Sequence, residues 1–308
     1  MSAIAGVTSW DWASLARLTN KTFIKRVTLN MREDMYRQLF LKIIFFFFPC
    51  TLIGHELWID TTDFKVEKDT VINLNLRNGE SFDGFSLGYF DRSVEKLYWR
   101  QNGKQFDNTS RQGDIPALKI APNENGLVSV VYVSKPSIIK YKEFKKFENF
   151  AIEKNSQSAI DLHLSSGFPQ KNFSEIYTRY SKALLGVGGA KGSDKANNLE
   201  LELVALQNPY TDDISSGIEI LTLYEGKPQA FTILNVFERS NTDFHVNSFV
   251  VKTDEKGVAT VKVENDNAYL IDNVILRPAN DKLLKDKGII WESLWAALTF
   301  GVIRANGQ

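Results

Sequence analysis

The sequence predicts a mainly β protein of two β-sandwich domains, the first carrying short helical insertions. Apolar and polar residues alternate over short runs through most of residues 55–308. The turn signals Asn78-Gly79, Asn102-Gly103 and Asn123-Glu124-Asn125-Gly126 separate those runs at the spacing of a sandwich. A Gly-, Ala- and Ser-rich stretch, Gly186 to Lys195, divides the β-rich sequence in two. The expected organisation is a leader over 1–54, a first sandwich over 55–185, a linker over 186–199 and a second sandwich over 200–308.

The leader rests on the run Ile43 to Gly54, with four consecutive phenylalanines from Phe45 to Phe48, preceded by Arg37 and Lys42. It is shorter than the roughly 20 residues that span a bilayer as a helix and suits the apolar core of a secretory signal. Gly54 is a suitable small residue for cleavage, which places His55 at the start of the mature chain. Two other readings stay open. One is an uncleaved anchor; the other is a lipid anchor on Cys50, which lacks the small residues expected before it. Met31 and Met35 each stand where a start gives an ordinary signal, so residues 1–34 read as an over-extended start or a dispensable extension. The expected location is periplasmic or secreted, touching the membrane only through the leader.

In the first domain, Thr70 to Arg77 alternates strictly and reads as a half-buried strand. Val94 to Trp99, Ala117 to Ala121 and Gly126 to Val133 follow the same pattern. The period then changes: Phe144, Phe147, Phe150 and Ala151 recur at three to four residues among Lys and Glu, predicting an amphipathic helix over 142–154. A second short helix is expected over Ser158–Leu164. A third is expected to begin near Ser174 and pass into a strand through Lys182 to Val187.

In the second domain, Ile218 to Tyr224 and Phe231 to Phe237 read as strands around the turn Glu225-Gly226-Lys227-Pro228. Ser248 to Lys252 and Val258 to Val261 are expected to form a hairpin closed by the turn Asp254 to Gly257. Tyr269 to Leu276 is another strand. Lys282 to Lys287 reads as a charged loop, and Trp291 to Val302 as a closing amphipathic element with Trp291 and Trp295 inward.

Removing the seven basic and three acidic residues of 1–54 leaves 30 basic and 34 acidic residues over 55–308, a charge of about −4. That excludes the excess of Lys and Arg on which non-specific nucleic-acid binding depends. The single cysteine, Cys50, lies in the leader, so residues 55–308 contain neither a disulfide nor a thiolate metal site.

The order of strand, Gly-x-Pro turn, strand and Thr-Asp-x-x-Gly turn resembles the transthyretin-like or carboxypeptidase-regulatory-like sandwich, within the broader immunoglobulin-like class. Five further segments carry a wider resemblance: His55-Glu56-Leu57-Trp58, Phe147-Glu148-Asn149-Phe150, Tyr177 to Leu184, Leu201 to Tyr210, and Trp291 to Phe300. They resemble an exported bacterial family of largely unknown function, often described as the periplasmic component of nickel or cobalt uptake. The resemblance implies transition-metal handling, with a metal permease or outer-membrane receptor as partner. This chain departs from it in having only three histidines, His55, His163 and His245.

A mature N-terminal His55 offers its α-amine and imidazole Nδ1 as a chelate suited to Ni2+, Co2+ or Cu2+. His245, beside Asp243, and His163, beside Asp161, are the available third ligands, and Glu56 adds an oxygen. The competing reading has His55 merely starting the first strand and the others decorating surfaces. Arg179 and Lys182 are anchors for an anionic ligand, or else ion-paired with Glu200, Glu202 or Asp194. Gly186 to Ser193 lacks the spacing of a phosphate loop. Gly84-Phe85-Ser86-Leu87-Gly88 has the letters GxSxG, but no helix-period run follows it, so it is not read as a nucleophile elbow, and Asp212-Asp213 sits in a polar loop. The expected function is non-enzymatic: a binding component of nickel, cobalt or copper uptake. The alternatives are an envelope interaction module without metal, or a carbohydrate- or ligand-binding module.

Overall fold

A computed structural model describes residues 55–303; the leader, Cys50 and the cleavage site lie outside the described residues. The first half supplies β1 (Glu56–Asp60), β2 (Lys65–Val66), β3 (Ile72–Glu80), β4 (Asp83–Leu87), β5 (Val94–Gln101), β6 (Lys104–Asp107), β7 (Leu118–Ile120), β8 (Gly126–Ser134) and β9 (Ser137–Tyr141). Two helices follow, α1 (Phe144–Glu153) and α2 (Gln157–Ser165), and then the long β10 (Phe173–Val187). The second half supplies β11 (Leu201–Ala205), β12 (Ile218–Tyr224), β13 (Lys227–Pro228), β14 (Ile233–Ser240), β15 (Val246–Lys252), β16 (Val258–Val261), β17 (Asn267–Pro278), α3 (Asp281–Lys287) and β18 (Ile289–Val302). The protein is mainly β and of the β-sandwich class, as its alternation predicts. Among the described residues no helix is long and apolar enough to cross a membrane.

A ten-stranded sheet, β15-β14-β17-β18-β10-β8-β5-β6 with β2 and β9 also on β10, runs through the molecule. One four-stranded sheet holds β1, β3, β4 and β7, and another holds β11, β12, β13 and β16. Side-chain alternation distributes the large sheet between them. Along β18, Leu294, Ala296, Leu298, Phe300 and Val302 join the core that contains Leu201, Leu203, Ile218 and Ile220. Ala297 faces oppositely, into the core of Trp58, Ile72, Leu74 and Ile120. Strands buried on both faces read as near-continuous apolar runs, which is why β18 shows no polar stripe.

The sheet corrects the expected division into domains. Residues 55–185 and 200–308 contribute strands to one sheet, and β10 lies parallel to β18 from Glu175 opposite Trp291 to Ala183 opposite Thr299. The segment 186–199 therefore joins strands of a shared core. Four local expectations change with it. The helix expected near Ser174 is strand throughout, because β10 is hydrogen-bonded along both edges. Asn78-Gly79 lies inside β3; the turn falls at Ser81 and Phe82, with φ of 54° and 62°. Gly79 is needed instead for close approach, since a Cβ there would lie 2.0 Å from the carbonyl oxygen of Asp83. The Asp254–Gly257 turn carries the chain between sheets, because β16 pairs with β12 and not with β15. The charged loop is the short helix α3, capped by the Asn280 side chain on the Leu283 N–H and ended by Gly288 at φ 63°.

The helical insertion matches its predicted face. α1 buries Phe147, Phe150 and Ala151. Phe150 stacks on Trp295 at 5.4 Å and Phe147 lies 5.1 Å from Trp291. This seam sets the end of α1, and with it Lys154, over the middle of the large sheet.

Candidate functional site

Glu56 begins β1 and is 2% exposed. A carboxylate withdrawn from water needs a cation, and Lys154 at the C-terminus of α1 supplies one: its Nζ lies 2.7 Å from Glu56 Oε1. The same ammonium is 3.4 Å from Asp272 Oδ2 on β17 and 3.2 Å from Glu153 Oε1. Asn235 on β14 donates to Asp272 at 3.2 Å, and the Trp295 ring lies 5.0 Å from the Lys154 nitrogen.

Two buried carboxylates thus share one buried ammonium. Burial and then the Asp272 charge push the Glu56 carboxyl up to about 7, against the opposing pull of Lys154. Burial works to depress Lys154, but Asp272 and Glu56 together hold it above its ordinary range. Glu56 Oε2 is buried and has no hydrogen-bond partner. Beside this cluster opens a cleft of about 350 Å³, lined by Glu56, Glu80, Glu153 and Lys154. Phe237, Phe249 and Val250 form its apolar wall. Lys154 thus meets three carboxylates, Glu56, Asp272 and Glu153, with Glu80 also lining the cleft and the buried Arg179 as a second cation acting on Glu56.

Trp295 links this cluster to a second one. Its indole N–H donates to Ser293 Oγ at 2.9 Å, and Ser293 donates to Glu175 Oε1. Tyr141 donates to the other Glu175 oxygen at 2.8 Å. Burial raises the Glu175 carboxyl to about 7, despite these donors. Arg179 stacks 4.7 Å over Tyr177 and donates at 2.8 Å to the carbonyl oxygen of His55.

The structure does not assemble the expected metal ligands. His163 is fully buried with both ring nitrogens engaged: Trp291 Nε1 donates to its Nδ1 at 2.9 Å, and its Nε2 lies 3.1 Å from the carbonyl oxygen of Pro169. That pairing makes Nε2 the protonated nitrogen, and burial lowers the ring's pKa. His163 is a core residue among Phe144, Phe147, Phe168 and Phe173. His245 is exposed in the β14–β15 turn, its Nε2 3.1 Å from Asn247 Oδ1. Glu56 pairs with Lys154 through Oε1 and keeps Oε2 without a hydrogen-bond partner. His163 could therefore serve Ni2+, Co2+ or Cu2+ only by giving up a contact to Trp291 or Pro169. Among the described residues no group of three or more His, Cys, Asp or Glu side chains could hold a metal ion.

The ion-pair reading of Lys182 holds: its Nζ lies 2.7 Å from Asp194 and 3.3 Å from Glu202. Lys154, Asp272 and Glu175 escaped sequence reasoning. Their one signal was a charge inside an apolar run, as in Tyr269-Leu270-Ile271-Asp272, or at the end of an amphipathic helix.

A family model described as a domain of unknown function, DUF4198, matches residues 52–275. No curated protein matches the chain.

Proposed function

The chain belongs to the DUF4198 family, a domain of unknown function, and from its cleft we propose an exported, non-enzymatic binding component that takes a small cationic group beside Glu56, Lys154 and Asp272. The supporting observation is the imbalance of buried charge: two carboxylates on one ammonium, with Glu56 Oε2 unpartnered. Below about pH 7 a proton on Glu56 offsets that imbalance. Above it, a cation in the cleft does so. Glu153 and Glu80 strengthen the attraction at the mouth, and Phe237 and Phe249 suit an alkyl stem. An alkylammonium or alkylguanidinium fits this chemistry better than a bare transition metal, which requires ligands the histidines do not provide. Delivery of such a cation to an envelope permease or receptor is in keeping with the family resemblance.

The test is calorimetric titration of the purified protein with 1,4-diaminobutane, with agmatine and with NiCl2, at pH 6 and pH 8. The expected result is one equivalent of an organic cation, bound about tenfold more tightly at pH 8, because a group titrating near 7 is mostly protonated at pH 6. Glu56→Gln is expected to weaken binding and abolish its pH dependence. Absence of binding by both amines, or unchanged affinity in Glu56→Gln, sinks the proposal. Binding of Ni2+ alone returns the reading to metal uptake.

A further inference from the structure

A second recess, of about 480 Å³, lies between the β5–β6 hairpin and the irregular segment 188–199. Its charged lining is all of one sign: Arg100, Lys191 and Lys195, with no Asp or Glu among the lining residues. The rest is mostly amide and hydroxyl, including Gln105, Ser129 and Asn197.

The acids closest in sequence are turned into the core, where Asp194 and Glu202 share the Lys182 ammonium. Asp194 points into the core, where it accepts from the Ala205 N–H at 3.0 Å and pairs with Lys182. Glu202 accepts from the Asn197 backbone N–H at 2.8 Å and from its side-chain amide at 2.9 Å. The segment thus sends Asp194 and Asn197 inward while Lys191 and Lys195 stay exposed.

The segment is also fixed without regular secondary structure. Leu127 N–H bonds the Lys191 carbonyl at 2.9 Å, and the Asn208 amide bridges the carbonyls of Ala190 and Gly192 at 2.8 and 2.9 Å. Arg100 is held only by neutral acceptors, Asn197 Oδ1 at 3.0 Å and Gln105 Oε1 at 3.0 and 3.2 Å. Three of its five N–H groups are used in this way, leaving two. A preoriented guanidinium without a carboxylate partner, flanked by two lysines, is suited to bind an oxyanion. The volume is that of a pocket for a small organic molecule, and the amides and hydroxyls suit a hydroxylated one.

We infer that the recess of Arg100, Lys191 and Lys195 binds a small hydroxylated molecule bearing a phosphate or carboxylate. The Gly-rich run contributes by letting the segment lie against β8, not as a phosphate loop, since it leads into β11 and opens no helix. This site is separate from the acidic cleft and opposite in charge, so either can fail without the other.

Calorimetry and thermal unfolding with glucose 6-phosphate, glucuronate, glucose and inorganic phosphate test it. One or both anionic sugars should bind, glucose should not, and the sugar that binds identifies the oxyanion. Lys191→Ala/Lys195→Ala, both on exposed positions, should weaken binding at least about tenfold with an unchanged midpoint in the absence of ligand. Arg100→Gln should abolish it. Failure of both anionic sugars to bind overturns the inference, as does equal binding by the double variant. A midpoint shift that sulfate reproduces in wild type and variants alike is a general salt effect and also overturns it.

Discussion

Glu175 is hydrogen-bonded on both oxygens, by Tyr141 and Ser293, yet burial still raises it to about 7, as it does Glu56. Between the ordinary carboxyl value of 4.5 and about 7, the folded protein binds more protons at these sites than the unfolded chain does. Stability therefore falls as pH rises through that window, by up to about 3 kcal/mol per group. Asp194, raised by burial, adds in the same direction. His163 acts oppositely, because its lowered pKa makes the fold less stable once the unfolded imidazole protonates. The unfolding midpoint is expected to be higher at pH 6 than at pH 8, and Glu175→Gln to flatten that difference while raising the midpoint at pH 8. Equal wild-type midpoints at the two pH values would falsify the buried-proton account. Glu56 was visible in the sequence as an oxygen donor. Its partner was not, because Lys154 lies 98 residues away and only the folded sheet brings them together.

At the scale of elements, periodicity was legible wherever one face is wet. The α1 face of Phe147, Phe150 and Ala151 and the strand Ile218–Tyr224 lie where alternation puts them. Elements buried on both sides lose that signal: β10, with Leu184 and Leu185 facing different cores, has no polar face by which to identify it. α3 was missed for another reason. It buries no residue, and its caps at Asn280 and Gly288 were its signal. Phe147→Ala removes a fully buried ring that touches Tyr141, Phe173 and Trp291. It is expected to cost about 3–5 kcal/mol, read by urea denaturation. Amide exchange should quicken first in α1 and α2, whose attachment to the sheet depends on this seam. A loss below about 1 kcal/mol would mean that the insertion is held by other contacts.

The whole molecule is organised by a sheet to which both halves of the sequence contribute. A fragment of residues 55–199 would leave β10 without β18 along its parallel edge and expose the face that β11, β12 and β16 cover. It is expected to be unfolded, with collapsed amide dispersion in NMR spectra. A cooperatively folding fragment would show that the first half has a sufficient core of its own. The sequence could not reveal the shared sheet, because its turn and linker chemistry describes where the chain bends and not which distant strand lies alongside.

The β10–β18 pairing also places a clock on biosynthesis. About 100 residues separate the end of β10 at Val187 from the start of β18 at Ile289. At roughly 5–20 residues per second, translation takes on the order of 5–20 s to cover that interval. Throughout it β10 has no β18 to pair with, so the nascent chain stays open until the last strand has been made.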